Sequence, residues 1–239
     1  MSGPAIDVQA IVFDTFGTVV DWRGSIARDL GAWGPTQNLQ ADWLSLADQW
    51  RARYQPQMER VRSGRIAFRK LDELHDECLD ELLPMLGLHE VTPAQRAYIN
   101  RAWHRLDPWP DSVPGLTRMK RRYFIAPLSN GNIALLANMA KRAGLPWDHI
   151  FSAETFQRYK PHPDTYLGVA RQLDLAPEQV MMVAAHNSDL RAARACGLRT
   201  GFIPRLTEYG PAQDTDLRAE EAWDVVAADL EDLATRMGV

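Results

Sequence analysis

An apolar run that ends in an aspartate constrains this chain more than any other feature. Residues 10–13 are Ala-Ile-Val-Phe, Asp14 follows them, and a turn through Gly17 and Thr18 comes next. A short apolar run before a turn predicts a central strand of a parallel sheet. Asp14 then lies at the carboxyl end of that strand, where open α/β sheets bind their ligands. An aspartate that caps a turn is the simpler interpretation, but a buried carboxylate costs free energy unless it is paired or used.

Three further polar clusters follow apolar runs later in the chain, and each stands at a predicted strand end. They are Ser129-Asn130-Gly131 after residues 123–128, Lys160-Pro161 after residues 150–152, and His186-Asn187-Ser188-Asp189 after residues 179–185.

The four sites together resemble a known family. An aspartate, a Ser-Asn-Gly, a lysine before proline and a late aspartate, in this order over residues 8–204, resemble the signatures of the haloacid dehalogenase superfamily. Its phosphatases usually carry a second aspartate two residues after the nucleophile, to protonate the leaving alkoxide. Phe16 stands there and has no proton to donate. A halide leaves as a stable anion, so the chain resembles the type II, or L-, 2-haloacid dehalogenases, and Trp50-Arg51 supports that branch.

The resemblance implies catalytic roles for five residues. Asp14 is expected to be the nucleophile, with Thr18 fixing its rotamer and Lys160 keeping it ionised. A turn-capping threonine and a solvated lysine are the alternatives. Asp189 is expected either to hold Lys160 or to orient the hydrolytic water. His186 replaces a family asparagine; it either activates or positions water or is a hydrogen-bonded structural histidine.

Other residues are expected to bind the substrate. Backbone N–H groups of Thr15, Phe16 and Gly17 are expected to hold its carboxylate. Ser129 and Asn130 are expected to grip the carboxylate and the halide, and also to cap the helix that follows them.

Three more side chains are assigned to the cleft by resemblance. Arg51, with its permanent charge, joins the halide site, although most helix arginines are solvated. Tyr166 matches a family tyrosine in the cleft, with an ordinary core aromatic as the alternative. Phe68 is expected to line the cleft from the helical cap.

Composition narrows the function classes. The net charge of −4, from 27 basic and 31 acidic residues, argues against a nucleic-acid or membrane partner. The two lone cysteines, Cys78 and Cys196, predict reduced thiols in the cytoplasm. Without a second aspartate beside Asp14, no cofactor and no metal is expected. A homodimer is left open.

The order of predicted elements indicates an α/β fold, with a Rossmann-like parallel-sheet core and an inserted helical cap. The core is predicted at residues 1–20 and 107–239 and the cap at 21–106. Strands are predicted at 123–128, 150–152, 180–184, 200–203 and 224–227, and core helices at 114–122, 132–144, 163–174, 187–196 and 229–237.

The predicted function is hydrolysis of short 2-haloalkanoates to 2-hydroxy acids through an ester on Asp14, with the 2-haloacid and the halide as small-molecule partners. A divergent phosphate-ester hydrolase and a non-catalytic binding domain that retains the fold are the alternatives.

Overall fold

The parallel sheet of this protein runs through the centre of its core, in a computed structural model that describes residues 7–239. The strands are β1 (Ala10–Phe13), β2 (Val20–Asp21), β3 (Asp107–Pro108), β4 (Phe124–Ser129), β5 (Phe151–Ser152), β6 (Val180–Ala184), β7 (Arg199–Phe202) and β8 (Val225–Val226). The sheet order is β5-β4-β1-β6-β7-β8, and every neighbouring pair is parallel. The predicted fold class is confirmed.

Ten α-helices are found in the described part of the chain. They are α1 (Trp22–Trp33), α2 (Trp43–Arg62), α3 (Leu71–Met85), α4 (Pro93–Asn100), α5 (Ser112–Met119), α6 (Ile133–Ala143), α7 (Ala153–Phe156), α8 (Pro163–Gln172), α9 (Asn187–Ala195) and α10 (Leu230–Arg236). The predicted core elements differ from these bounds by a few residues at each end. No helix among residues 7–239 is long and apolar enough to cross a bilayer.

Alternate residues of β1 face opposite sides of the sheet, as strand geometry requires. Ile11 and Phe13 join an apolar cluster that continues into the tryptophans of α1 and α2, whereas Ala10 and Val12 join a second cluster under α8 and α9. A strand buried on both faces reads as an uninterrupted apolar run. This is why residues 10–13 carry so clear a signal.

The segment between β2 and β3 is helical and contains no strand. Val20 pairs with Pro108 and Asp21 with Asp107 in a short antiparallel ladder, which brings the two ends of this segment together. The domain bounds 1–20, 21–106 and 107–239 stay a prediction, and residues 1–6 lie outside the described residues.

Helix α1 was not predicted from the sequence. Two glycines, Gly24 and Gly31, weaken its intrinsic preference for helix. Its stabilisation comes from tertiary packing of Trp22, Ile26 and Leu30.

Candidate active site

Asp14 follows the central strand and is held by three polar neighbours. The residue as a whole is only 8% exposed. Lys160 Nζ donates to Oδ1 at 2.9 Å, and Thr18 Oγ1 donates to Oδ2 at 2.8 Å. Burial alone would raise the pKa of Asp14, but Lys160 and His186 outweigh it and hold the pKa far below its usual range. Asp14 is therefore ionised at every working pH, which a carboxylate nucleophile requires.

The position of Asp14 follows from the strand order. β1 lies between β4 and β6, with Phe13 level with Pro127 on one side and Val183 on the other. The polar residues that follow β4 and β6 therefore meet Asp14 at one edge of the sheet. Open α/β sheets form their binding crevice at such a point.

Lys160 connects two carboxylates. Its Nζ also donates to Asp189 Oδ2 at 2.5 Å, and Tyr166 donates its hydroxyl to Asp189 Oδ1 at 2.5 Å. Burial alone would lower the pKa of Lys160, but Asp14 and Asp189 raise it well above the usual value. Burial and the Asp189 carboxylate raise the pKa of Tyr166, so its hydroxyl stays a donor. Of the two roles predicted for Asp189, the contact with Lys160 is present.

His186 lies between two carboxylates. Its Nδ1 is 3.1 Å from Asp14 Oδ2 and its Nε2 is 2.8 Å from Glu208 Oε2. Burial alone would lower the pKa of His186, but Glu208 and Asp14 raise it well above its ordinary value. The ring is therefore an imidazolium that donates from both nitrogens. It has no free lone pair for a water proton in the resting protein, so the expected general-base role has no support there.

Glu208 is a site residue that sequence reasoning missed. Its side chain is 1% exposed and accepts a hydrogen bond from Trp22 Nε1 at 3.0 Å in addition to the contact with His186. Arg51 Nη2 lies 3.6 Å from the same carboxylate. Burial alone would raise the pKa of Glu208, but His186 and Arg51 lower it. Glu208 lies in the irregular stretch after β7, where no periodic pattern marks it.

Arg51 reaches the cleft from α2 and lies among aromatic rings. Its guanidinium carbon is 4.5 Å from the centre of the Tyr54 ring, and the rings of Trp22 and Tyr209 lie within 6 Å. Nη2 donates to the Tyr209 hydroxyl at 3.3 Å, whereas buried Nη1 has no partner among the described residues. An unpaired, buried guanidinium N–H is a ready donor for an anion. Tyr54 and Tyr209 also line the cleft, and neither was predicted to do so.

Phe16 lines the cleft with its aromatic ring. The ring packs edge-on against Tyr54 and Trp103 and supplies no proton donor. Among the described residues, the N–H groups of Thr15 and Phe16 have no backbone acceptor. The Gly17 N–H donates to the Val20 carbonyl at 3.0 Å, so the expectation that Gly17 holds the substrate carboxylate is wrong.

Ser129 and Asn130 have different surroundings. Asn130 lines the cleft, and its Oδ1 accepts the Lys160 N–H at 2.8 Å, which leaves the amide NH₂ as the donor group. Ser129 is buried, and its Oγ accepts the Gly131 N–H at 3.2 Å. Neither caps α6, because that helix begins at Ile133, whose N–H donates to Glu154. The expected helix-capping role is wrong.

Phe68 does not face the cleft. Its ring lies 5.4 Å from that of Tyr159, and Phe68 is absent from the residues that line the cavity beside Asp14. The cavity has a volume of about 550 Å³, in the range of small-molecule sites. Among residues 7–239 no group of three histidine, cysteine or acidic side chains has the geometry of a metal site.

Known proteins share this fold. Residues 8–197 match the family model of the haloacid dehalogenase-like hydrolases. This chain belongs to that family. Within it, the chain falls in the L-2-haloacid dehalogenase branch, as the sequence predicted.

Three relatives of this haloacid dehalogenase-like hydrolase illustrate the match. It is 30% identical to (S)-2-haloacid dehalogenase 1 of Pseudomonas sp. (strain CBS-3), over 84% of this chain and 86% of the relative. It is 49% identical to a crystallised defluorinating L-2-haloacid dehalogenase, with a TM-score of 0.93 over 97% and 96% of the two chains. The Xanthobacter autotrophicus L-2-haloacid dehalogenase, solved with chloropropionic acid covalently bound, is 25% identical, with a TM-score of 0.77 over 95% and 97% of the two chains.

Proposed function

We propose that this protein hydrolyses short L-2-haloalkanoates to 2-hydroxy acids, with Asp14 as the nucleophile and with inversion at C2. The observation that carries the proposal is the buried Asp14 carboxylate, kept ionised by Lys160 and His186 at the edge of the cleft. The protein is a hydrolase of the carbon–halogen bond by its branch of the family.

The reaction has two steps. An Asp14 oxygen attacks C2, the carbon–halogen bond breaks, and its electron pair leaves with the halide. Water then attacks Cγ of the Asp14 ester, and the 2-hydroxy acid departs with an Asp14 oxygen in the place of the halogen. Asp14 returns as a carboxylate, so one proton is released for each ester hydrolysed.

Two sets of donors are suited to the two ends of the substrate. The backbone N–H groups of Thr15 and Phe16, which have no backbone acceptor among the described residues, lie in the turn directly after Asp14, and we assign them to the substrate carboxylate. The free Arg51 Nη1 and the Asn130 amide are assigned to the halide. Asp189 and Tyr166 complete the proposed set of site residues. Asp189 accepts a hydrogen bond from Lys160, and Tyr166 donates its hydroxyl to Asp189.

The alternative functions have less support. A phosphatase needs a proton donor for its leaving alkoxide, and Phe16 places an aromatic ring at the position concerned. A binding domain without catalysis has no need to bury two carboxylates, Asp14 and Asp189, against one lysine. The likeness to a defluorinating dehalogenase extends the proposal to 2-fluoro acids as substrates. A cytoplasmic location and a homodimer stay predictions from the sequence.

Isotope labelling tests the covalent route. A single turnover of L-2-chloropropionate in heavy-oxygen water is expected to label Asp14 and to leave the first hydroxy acid unlabelled. Label that enters the hydroxy acid directly would contradict the assignment of Asp14 as nucleophile.

A substrate panel tests the reaction class. Halide release from 2-chloro, 2-bromo and 2-fluoro acids is to be measured beside phosphate release from small esters, with and without magnesium. Phosphate release alone would mean that the phosphatase alternative is correct, and no release of either would favour the binding domain.

A further inference from the structure

The chain of contacts from Asp14 through His186 to Glu208 is not explained by the attack on the substrate. We propose that Glu208 is a positioning residue that keeps His186 protonated while the Asp14 ester is hydrolysed, so that His186 donates to the ester's carbonyl oxygen and to the oxyanion formed there. The inference rests on the proposed function, because it concerns the second step of that reaction.

The hydrogen bonds of Asp14 distinguish its two oxygens. Oδ2 accepts from Thr18 at 2.8 Å and lies 3.1 Å from His186 Nδ1, whereas Lys160 is the one donor to Oδ1 found in the described part of the chain. An oxygen with two donors has its lone pairs engaged and is the poorer nucleophile. Oδ1 is therefore the oxygen that attacks C2, and Oδ2 becomes the carbonyl oxygen of the ester.

The charges around His186 change when the ester forms. Asp14 and Glu208 are the two carboxylates in direct contact with the ring. Lys160 and Asp189 lie behind Asp14, Arg51 lies beside Glu208, and Tyr209 is bonded to Arg51. Once Asp14 is a neutral ester, Glu208 is the one carboxylate of residues 7–239 that remains in direct contact with the imidazole. The proton on His186 then depends on Glu208.

A protonated His186 is useful in this second step. Water attacks Cγ, and the electron pair of the carbonyl π bond moves to Oδ2, which becomes an oxyanion. His186 Nδ1–H and Thr18 Oγ1–H donate to it, as preformed donors do in an oxyanion hole. When the Cγ–Oδ1 bond breaks, its electron pair leaves with the hydroxy acid oxygen, which takes one proton of the water. The other proton is released, because Asp14 returns as a carboxylate.

The turn that carries the nucleophile also makes room for Glu208. Gly17 has a φ of +86°, and a Cβ there would lie 2.1 Å from Glu208 Oε1. Trp22 Nε1–H fixes the same oxygen, while the other oxygen is bonded to His186. The carboxylate is thus held in one orientation, between the cap and the turn that follows β1.

Titration of His186 tests this coupling without any turnover. Asp14→Asn places a neutral amide where the ester stands, and the imidazole pKa is measured by NMR in Asp14→Asn and in Asp14→Asn/Glu208→Gln. We expect His186 to stay protonated above neutral pH in the first protein and to titrate at a clearly lower pH in the second. Equal pKa values in the two proteins would overturn the inference.

Kinetics of Glu208→Gln test the consequence. Glutamine keeps the shape of the side chain, so the burst of halide in the first turnover is expected to survive. Steady turnover is expected to fall about tenfold or more at alkaline pH, since loss of one oxyanion donor costs ~10²–10³-fold. It should recover as the pH is lowered and His186 regains its proton. Equal loss of burst and steady rate, without a change in the pH profile, would mean a structural role and would overturn the inference.

Controls separate this result from other failures. Glu220→Gln changes an exposed glutamate of the same loop, paired with Arg191, and is expected to leave the pH profile unchanged. If Glu208→Gln does not fold, His186→Gln supplies a neutral donor in place of the imidazolium. Its steady turnover is then expected to lack the decline at alkaline pH that follows when His186 loses its proton. If no substrate is dehalogenated, the proposed function fails, whereas the NMR titration still decides whether Glu208 keeps His186 protonated.

Discussion

The two sides of the cleft hold their charged groups in different ways. On the core side, Lys160 Nζ lies between Asp14 and Asp189, at distances of 2.9 and 2.5 Å from their carboxylate oxygens. On the cap side, Arg51 lies over aromatic rings, and its Nη1 has no hydrogen-bond partner within residues 7–239. The difference teaches that the charged groups of the core side are paired with one another in the absence of substrate. On the cap side, the Arg51 Nη1 donor is available to bind an anion.

The largest effect is expected from the nucleophile. Asp14→Asn should lower turnover by at least about 10⁴-fold, because loss of a nucleophile removes the covalent route. Halide release under single-turnover conditions is the measurement. Asp164→Asn, at a half-exposed carboxylate of α8, is the matched control and should keep its activity. A halide burst from Asp14→Asn would contradict the nucleophile assignment.

Removal of the Lys160 ammonium, which contacts both Asp14 and Asp189, should lower both stability and halide release. Lys160→Met leaves Asp14 and Asp189 facing each other, and loss of one partner of a buried pair costs ~3–5 kcal/mol of unfolding free energy. Halide release is expected to fall by about 10²-fold or more. Chemical denaturation and single-turnover kinetics measure the two effects.

The pH dependence of Lys160→Met has a definite sign. In the parent protein the lowered pKa of Asp14 keeps halide release constant down to mildly acidic pH. Without Lys160 the pKa of Asp14 rises, because a nearby cation lowers a carboxyl pKa by ~1–3. The rate should then decline as the pH falls. A flat profile would mean that Lys160 does not control the ionisation of Asp14.

A smaller effect is expected on the cap side. Arg51→Lys keeps the charge but loses the planar fork and the stacking on Tyr54. Inhibition by product halide is expected to weaken by about tenfold, or ~1.4 kcal/mol, with less effect on the burst rate. Arg53→Lys, on the same helix and paired with Glu81, is the control. Unchanged halide inhibition in Arg51→Lys would remove Arg51 from the halide site.

The smallest effect is expected from metals. Magnesium or a chelator should leave the rate of halide release unchanged, because Phe16 stands where a second aspartate would help to hold a metal beside Asp14. Assays with and without each reagent measure this. A strict magnesium requirement would contradict this prediction, because it would show that the residues around Asp14 need a bound metal ion for halide release.

The sequence by itself determined the core side of the site. Each of its residues follows an apolar run that predicts a strand, and parallel strands bring their carboxyl ends to one edge. The local pattern predicted the strand ends near Asp14, Asn130 and Asp189, whereas the resemblance to the family implied the roles of these residues and of Thr18 and Lys160, and gave Phe16 its meaning.

Only the tertiary structure decided the rest. Phe68 and Arg51 both lie in the helical segment, yet Phe68 turns to Tyr159 and Arg51 to the cleft. Glu208 reaches His186 from an irregular loop, and this contact changes the expected role of the histidine. Strands and helices repeat, so their patterns predict which face a residue occupies. Loops and contacts between helices have no such period, and their geometry depends on how distant parts of the chain pack.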